Sequence, residues 1–94
     1  MTDQRNGTAL TMLRRPKVRL ETGLSDSSLY DHIGRGLFTA PVKIGARSSA
    51  WPACEVEAIN AARIAGKSDD DVRKLVAKLH VNRLVLARTV PLEQ

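Results

Sequence analysis

Residues 22–52 read TGLSDSSLYDHIGRGLFTAPVKIGARSSAWP, and the punctuation of this stretch decides the fold. Gly23 stops a first helix, because glycine tolerates the left-handed conformation that closes a helix C-terminus. Leu24 turns inward and Ser25 opens a second helix. The Ser25 hydroxyl suits the N-cap, and Asp26 in the first turn complements the helix dipole. Ser28 stands where a full capping box carries Glu or Gln, so the box is incomplete. Leu29 and Ile33, four apart, line one face of this helix. Ser27, Ser28, Asp31, His32 and Arg35 occupy the other, and Gly34 and Gly36 end it. Two short helices joined by a tight glycine turn follow helix-turn-helix grammar. An ordinary helical corner shares that grammar.

The rest of the stretch separates the two. Val42, Lys43 and Ile44 alternate apolar, basic and apolar. Gly45 to Ser48 form a turn, and Ser49 to Trp51 return as a second strand. A hairpin this small is marginal alone. It must lean on the helices, with Phe38 and Trp51 as anchors. Its tip displays Arg47 and Ser48, and Lys43 points outward. A basic tip after a helix-turn-helix reads as a wing; the competing reading is a structural turn with solvated charges.

Upstream, Pro16 suits a first helical turn, where its missing N–H is unpaired anyway. Val18 and Leu20 are the apolar pair of this helix, extended by Leu13 or Leu24. Residues 1–12 read as a flexible polar arm. Downstream, Pro52 opens a third helix to about Ala65, with Val56, Ile59 and Ala62 or Arg63 facing inward, and Gly66 stops it. Ser68 caps a fourth helix over 68–83. Asp69, Asp70 and Asp71 crowd its first turn, where the dipole welcomes anions. Consecutive helical residues diverge, so this run reads as capping and not as a metal site. Val72, Leu75, Val76 and Leu79 form an amphipathic stripe, and His80 and Arg83 close the helix. Leu84, Val85, Leu86 and Val90 extend the apolar surface. Either the tail packs back on the domain or the helix meets a copy of itself, and the favoured expectation is a homodimer through 68–83. The division is therefore an arm over 1–12, a winged helix-turn-helix domain over 13–66, and a C-terminal helix and tail over 67–94.

The 94 residues suffice for one domain, and a domain this small buries only about 60% of its unfolded surface. Net charge is +5 and the isoelectric point is near 10.0, which favours a polyanionic partner. From Arg14 to Trp51 there are seven basic residues against three acids, a surplus of +4. From Pro52 to Gln94 the count is seven against six, a surplus of +1. The excess charge thus sits over the helix-turn-helix and wing. Cys54 stands alone, with no disulfide partner and no zinc set around it. No cofactor and no metal are expected. No signal peptide or apolar run of membrane length appears, so the expected location is the cytoplasm, away from membranes. No nucleophile has an evident base beside it, so the chain does not read as an enzyme.

Thr22-Gly23-Leu24-Ser25, Leu29-Tyr30, Gly36-Leu37-Phe38, Pro41-Val42-Lys43-Ile44-Gly45 and Trp51-Pro52, in this order and spacing, resemble the AlpA family of prophage regulators. The resemblance covers about residues 13–66. It implies the winged helix-turn-helix of excisionases and MerR-type domains: mainly α, with a small β-hairpin. Two positions depart from the family pattern, Ser28 for a common Thr and Asp31 for a common basic residue. An acid there either repels phosphate or accepts a bond from a cytosine amino group.

The resemblance implies a sequence-specific regulator of transcription that binds double-stranded DNA. RNA polymerase is its protein partner in that role, or an integrase if it acts as an excisionase. A protein-interaction module without DNA preference is the reading from another class. On DNA, the helix over 25–35 would enter the major groove. Ser25, Ser27, Ser28, Asp31, His32 and Arg35 are its candidate contacts. Arg35 either takes guanine through two hydrogen bonds or grips a phosphate. Tyr30 offers its hydroxyl to a phosphate or packs half-buried. Arg14, Arg15 and Lys17 suit phosphate positioning. Lys43, Arg47 and Ser48 on the wing over 42–51 face the adjacent groove or its phosphates.

Overall fold

The computed structural model describes residues 10–89. Its elements run β1 Met12–Arg14, α1 Arg15–Thr22, α2 Asp26–Gly34, β2 Val42–Lys43, β3 Ser49–Pro52, α3 Ala53–Ile64 and α4 Asp69–Thr89. The result is a mainly helical chain with a small antiparallel sheet and a C-terminal helix, the architecture of a winged helix-turn-helix. Of the expected arm, residues 1–9 lie outside the described residues.

The hairpin forms where alternation placed it, with Val42 opposite Ala50 and Lys43 opposite Ser49. The sheet nonetheless has a third strand. In the order β1-β3-β2, the returning strand is central, and Leu13 pairs with Trp51 on its far side. The Ala53 N–H donates to the Thr11 carbonyl at 2.7 Å, which extends the pairing past the strand end. Three residues are too few for a period of two to show in sequence, so this strand was not expected. It supplies the small hairpin with backbone partners on the side a lone hairpin would leave open.

In α1, Gly23 at φ 76° ends the helix, and its N–H donates to the Arg19 carbonyl at 2.8 Å. Thr22 Oγ1 donates to the Val18 carbonyl at 2.8 Å and accepts from the Leu24 N–H at 3.2 Å, which fixes the turn into α2. Val18 is fully buried, but Leu20 is 79% exposed, against the expected apolar pair. Two positions apart on a helix lie on nearly opposite sides, so only one of them reaches the core. In α2 the Ser25 hydroxyl accepts the Ser28 N–H at 3.1 Å, the expected N-cap. Leu29 is fully buried below it.

Trp51 and Phe38 anchor the wing as an edge-on pair, with ring centroids 6.4 Å apart. The Trp51 indole N–H donates to the Thr39 carbonyl at 2.9 Å, so the buried ring keeps its polar atom bonded. Val18, Leu29, Leu37, Val56, Ile59, Val72 and Val76 complete the core.

The last two residues come from α4. Leu75 and Leu79, partly buried, pack beside them, so the stripe meets its own domain. Ser68 caps α4, its hydroxyl accepting the Asp71 N–H at 3.1 Å. Helix α4 runs six residues past the expected end at 83, because His80 and Arg83 do not close it. They lie mid-helix and bond the domain: the Ala40 N–H donates to His80 Nε2 at 3.1 Å, and Arg83 reaches Glu55 at 2.7 Å.

Candidate nucleic-acid interface

Three elements meet around one cleft. Pairing of β1 with β3 sets Arg14 opposite Ala50 at the start of α1. The turn between β2 and β3 carries Arg47, closed by the Ile44 N–H on the Ser48 carbonyl at 2.9 Å. Tyr30 projects from α2 and is 46% exposed. Arg14, Arg15, Pro16, Tyr30, Arg47, Ser49 and Trp51 together line a cleft of about 300 Å³. Trp51 is fully buried and holds its wall rigid. Lys43 is in register with Ser49, which lines the cleft.

The cleft is electropositive because its cations are largely unneutralised. Among the described residues, no carboxylate lies within ion-pair distance of Arg14, Lys43 or Arg47. Arg15 is 3.4 Å from Asp26, which also holds Arg19 at 3.6 Å. Both sides of that pair are about half exposed, and exposed pairs contribute only ~0–1 kcal/mol, so Asp26 holds Arg15 weakly.

The far end of α2 is organised differently. Arg35 pairs with Asp31 at 3.3 Å and lies 4.0 Å from Asp69 at the start of α4. Arg63 also holds Asp69, at 3.1 Å, and Arg73 holds Asp70 at 3.1 Å. The hydrogen bond from the Arg63 guanidinium, opposed by desolvation and helped by the charges of Arg63, Arg73 and Arg35, keeps the Asp69 carboxyl below the usual carboxylate value. The three consecutive aspartates thus diverge: Asp69 and Asp70 take different arginines, and the Asp71 backbone takes the cap.

The sequence-predicted residues fall into three groups. Arg14, Arg15, Tyr30 and Arg47 share the cleft. Asp31 and Arg35 share the ion-pair cluster, where each cancels the other's charge. The remainder join neither. Lys17 pairs with Glu21 at 3.8 Å, and Lys43 is exposed on β2. Ser27 is exposed, whereas Ser28, His32 and Ser48 are half-buried. Ser25 is occupied as the N-cap, its hydroxyl also donating to Ser28 Oγ at 3.2 Å. Sequence reasoning missed the arginine-binding roles of Asp26 and Asp69, because their partners Arg15 and Arg63 lie on other helices, and that of Asp70, whose partner Arg73 is three residues on in α4, because the aspartate run was read only as capping. Cys54 lies half-buried on α3, where burial, followed by the nearby Glu55 charge, pushes its thiol above the ordinary value. Among the described residues no group of three His, Cys, Asp or Glu is placed to hold a metal ion, and no helix is long and apolar enough to cross a membrane.

A helix-turn-helix with a three-stranded wing, bearing a cluster of cations where wing and helices meet, defines the winged helix-turn-helix class. The chain belongs to the family described as prophage CP4-57 regulatory protein (AlpA), which matches residues 11–63. The family's description is that of a regulatory protein. A relative, the uncharacterized protein ORF88 of Enterobacteria phage P4, is 44% identical over 55 residues. The match covers 58% of this chain and 62% of that protein, so the chain spans less than two thirds of its relative. No solved structure gives a significant match. The family match takes in every element through α3 and ends before α4.

Proposed function

We propose that the chain is a sequence-specific, double-stranded DNA-binding regulator of transcription. Helix α2 with its cap, residues 25–35, reads the major groove, and the wing over 42–51 holds the adjacent groove or its phosphates. The observation that carries this reading is the cleft. Arg14, Arg15 and Arg47 come from two separate parts of the chain and converge beside the exposed Tyr30 of α2. Of these, Arg14 and Arg47 have no carboxylate within ion-pair distance among the described residues, so like charges repel there, and a phosphate backbone relieves that repulsion while releasing counterions. A plain helical corner has no need of such a cluster.

In this arrangement Arg14, Arg15 and Arg47 fix the register on the duplex, and Lys43 adds a cation on the same hairpin. Ser27, Asp31 and Arg35 are the exposed groups of α2 that meet base edges. Arg35 leaves the Asp31 and Asp69 carboxylates to do so, and that exchange is cheap for exposed pairs. Freed from Arg35, Asp31 accepts from a cytosine amino group. RNA polymerase is the partner this role implies.

Selection of genomic fragments bound by the full chain, followed by gel shifts of the selected duplex at two salt concentrations, tests the proposal. The expected result is a recurring site at promoters, with affinity that falls steeply as salt rises. Sites clustered at recombination junctions would instead make the chain an excisionase working with an integrase. Absence of any DNA preference would overturn the reading and leave a protein-interaction module.

A further inference from the structure

Arg73, His80 and Arg83 are seven and three residues apart, so they share one side of α4. All three bond the backbone segment that leaves α2. Arg73 Nε donates to the Arg35 carbonyl at 2.9 Å. His80 Nε2 accepts the Ala40 N–H at 3.1 Å, and the Arg83 guanidinium donates to the Ala40 carbonyl at 2.7 Å. Both backbone polar groups of Ala40 are therefore held by side chains of α4. Arg83 is itself fixed by Glu55, through two bonds of 2.7 Å, and Glu55 is only 3% exposed.

The segment held in this way, residues 35–41, is the connection between α2 and the wing. It contains no helix or strand, so no ladder of its own sets its path. Leu37, Phe38 and Thr39 bury their side chains, and the Trp51 indole holds the Thr39 carbonyl, which leaves the direction of the chain after Thr39 to the bonds on Ala40. Helix α4 sets it, and Val72 and Val76 seat that helix in the core one turn away from the bonding residues. A rotation of the connection relative to α2 would strand the Ala40 N–H and carbonyl, each at the cost of an unmade bond.

We infer that α4, beyond the family-matched residues 11–63, is a strut that fixes the angle between the α2 surface and the wing, with His80 and Arg83 as positioning residues for DNA recognition. The inference rests on the DNA-binding reading for its consequence, but not for its geometry. A small domain that spans the major groove and the neighbouring phosphates gains specificity only if the two contacts are held at one spacing.

The test uses the full chain with His80→Leu, which removes the acceptor, and His80→Gln, whose amide oxygen can replace it. Amide hydrogen exchange of Ala40 and of residues 42–51 is read without DNA. Specific-to-nonspecific affinity is then read on a duplex selected from genomic fragments and on a random duplex. His80→Leu is expected to speed Ala40 exchange by about threefold to tenfold, the weight of one hydrogen bond, and to lower the affinity ratio by a similar factor. His80→Gln should restore both. Unchanged exchange in His80→Leu overturns the strut. Faster exchange with an unchanged affinity ratio overturns the positioning role. A wild type without DNA preference overturns the DNA-binding reading and the positioning role with it, while the exchange result still reports whether α4 holds Ala40.

Discussion

Arg47 and Arg83 show two opposite uses of the same side chain. Arg47 sits exposed on the wing turn, beside Arg14 and Arg15, with no carboxylate in reach. Arg83 lies between α3 and α4, bonded to both oxygens of Glu55 and to the Ala40 carbonyl. The seam satisfies every charge it contains. The cleft leaves Arg14 and Arg47 without a carboxylate, and it lies in the region where net charge concentrates along the sequence. A cation already bonded from three sides has nothing left for a ligand, whereas one held among like charges is stabilised by any polyanion that arrives. The contrast separates arginines bonded within the fold from those left without a carboxylate, which the proposed function assigns to DNA.

The largest effect should come from the seam. Arg83→Met leaves Glu55 charged, buried and alone, and breaking such a pair from one side costs about 3–5 kcal/mol. Urea unfolding should show that loss. The double variant Glu55→Gln with Arg83→Met should recover a large part of it, because no charge is then stranded. An Arg83→Met variant as stable as the wild type would place Arg83 with the free cations and erase the contrast.

Leu75→Asp with Leu79→Asp tests the same seam from its apolar side. These leucines pack against the core, so the pair should unfold the domain in circular dichroism. A folded variant with reduced mass in sedimentation would show instead that the stripe serves a dimer.

Arg35 stands between the two regions, since it is exposed and yet paired. Arg35→Ala should cost about 1–3 kcal/mol of discrimination on a selected duplex and less on random DNA. An equal loss on both would assign it to phosphate. The smallest effect is at Asp69. Its folded carboxyl titrates below the ordinary value of 3.8, so its contribution to stability is full above that pH and fades as pH falls through the lowered value. Asp69→Asn should lower stability slightly near neutrality and match the wild type in strong acid. A difference that persists in strong acid would mean that Asp69 acts through packing and not through charge.

The recognition half was legible in the sequence because its signals are local. Gly23 and Ser25 are a stop and a cap within three residues, and the short alternation from Val42 flanks a glycine turn. Trp51 and Phe38 were the only large rings near that hairpin to anchor it. The seam was hidden because its partners are distant in the chain: Glu55 and Arg83 are 28 residues apart, and His80 reaches back 40. A basic residue in a last turn and a basic residue crossing to another helix look alike in sequence, which is why His80 and Arg83 read as a helix end. Within the site, the cations were nameable from charge alone. Which of them lack a carboxylate was not, since Asp26 and Asp69 choose their arginines through the fold.

The central claim is that the unpaired cations of the cleft meet the phosphates of DNA. Its most direct test is the salt dependence of affinity for a selected duplex, measured for the wild type and for Arg14→Ala with Arg47→Ala. Every phosphate that the protein ceases to neutralise makes the slope of log affinity against log salt shallower by about 0.9. The double variant should therefore show a slope shallower by nearly two, with the fold intact by circular dichroism. A slope unchanged from the wild type would mean that the cleft does not touch DNA.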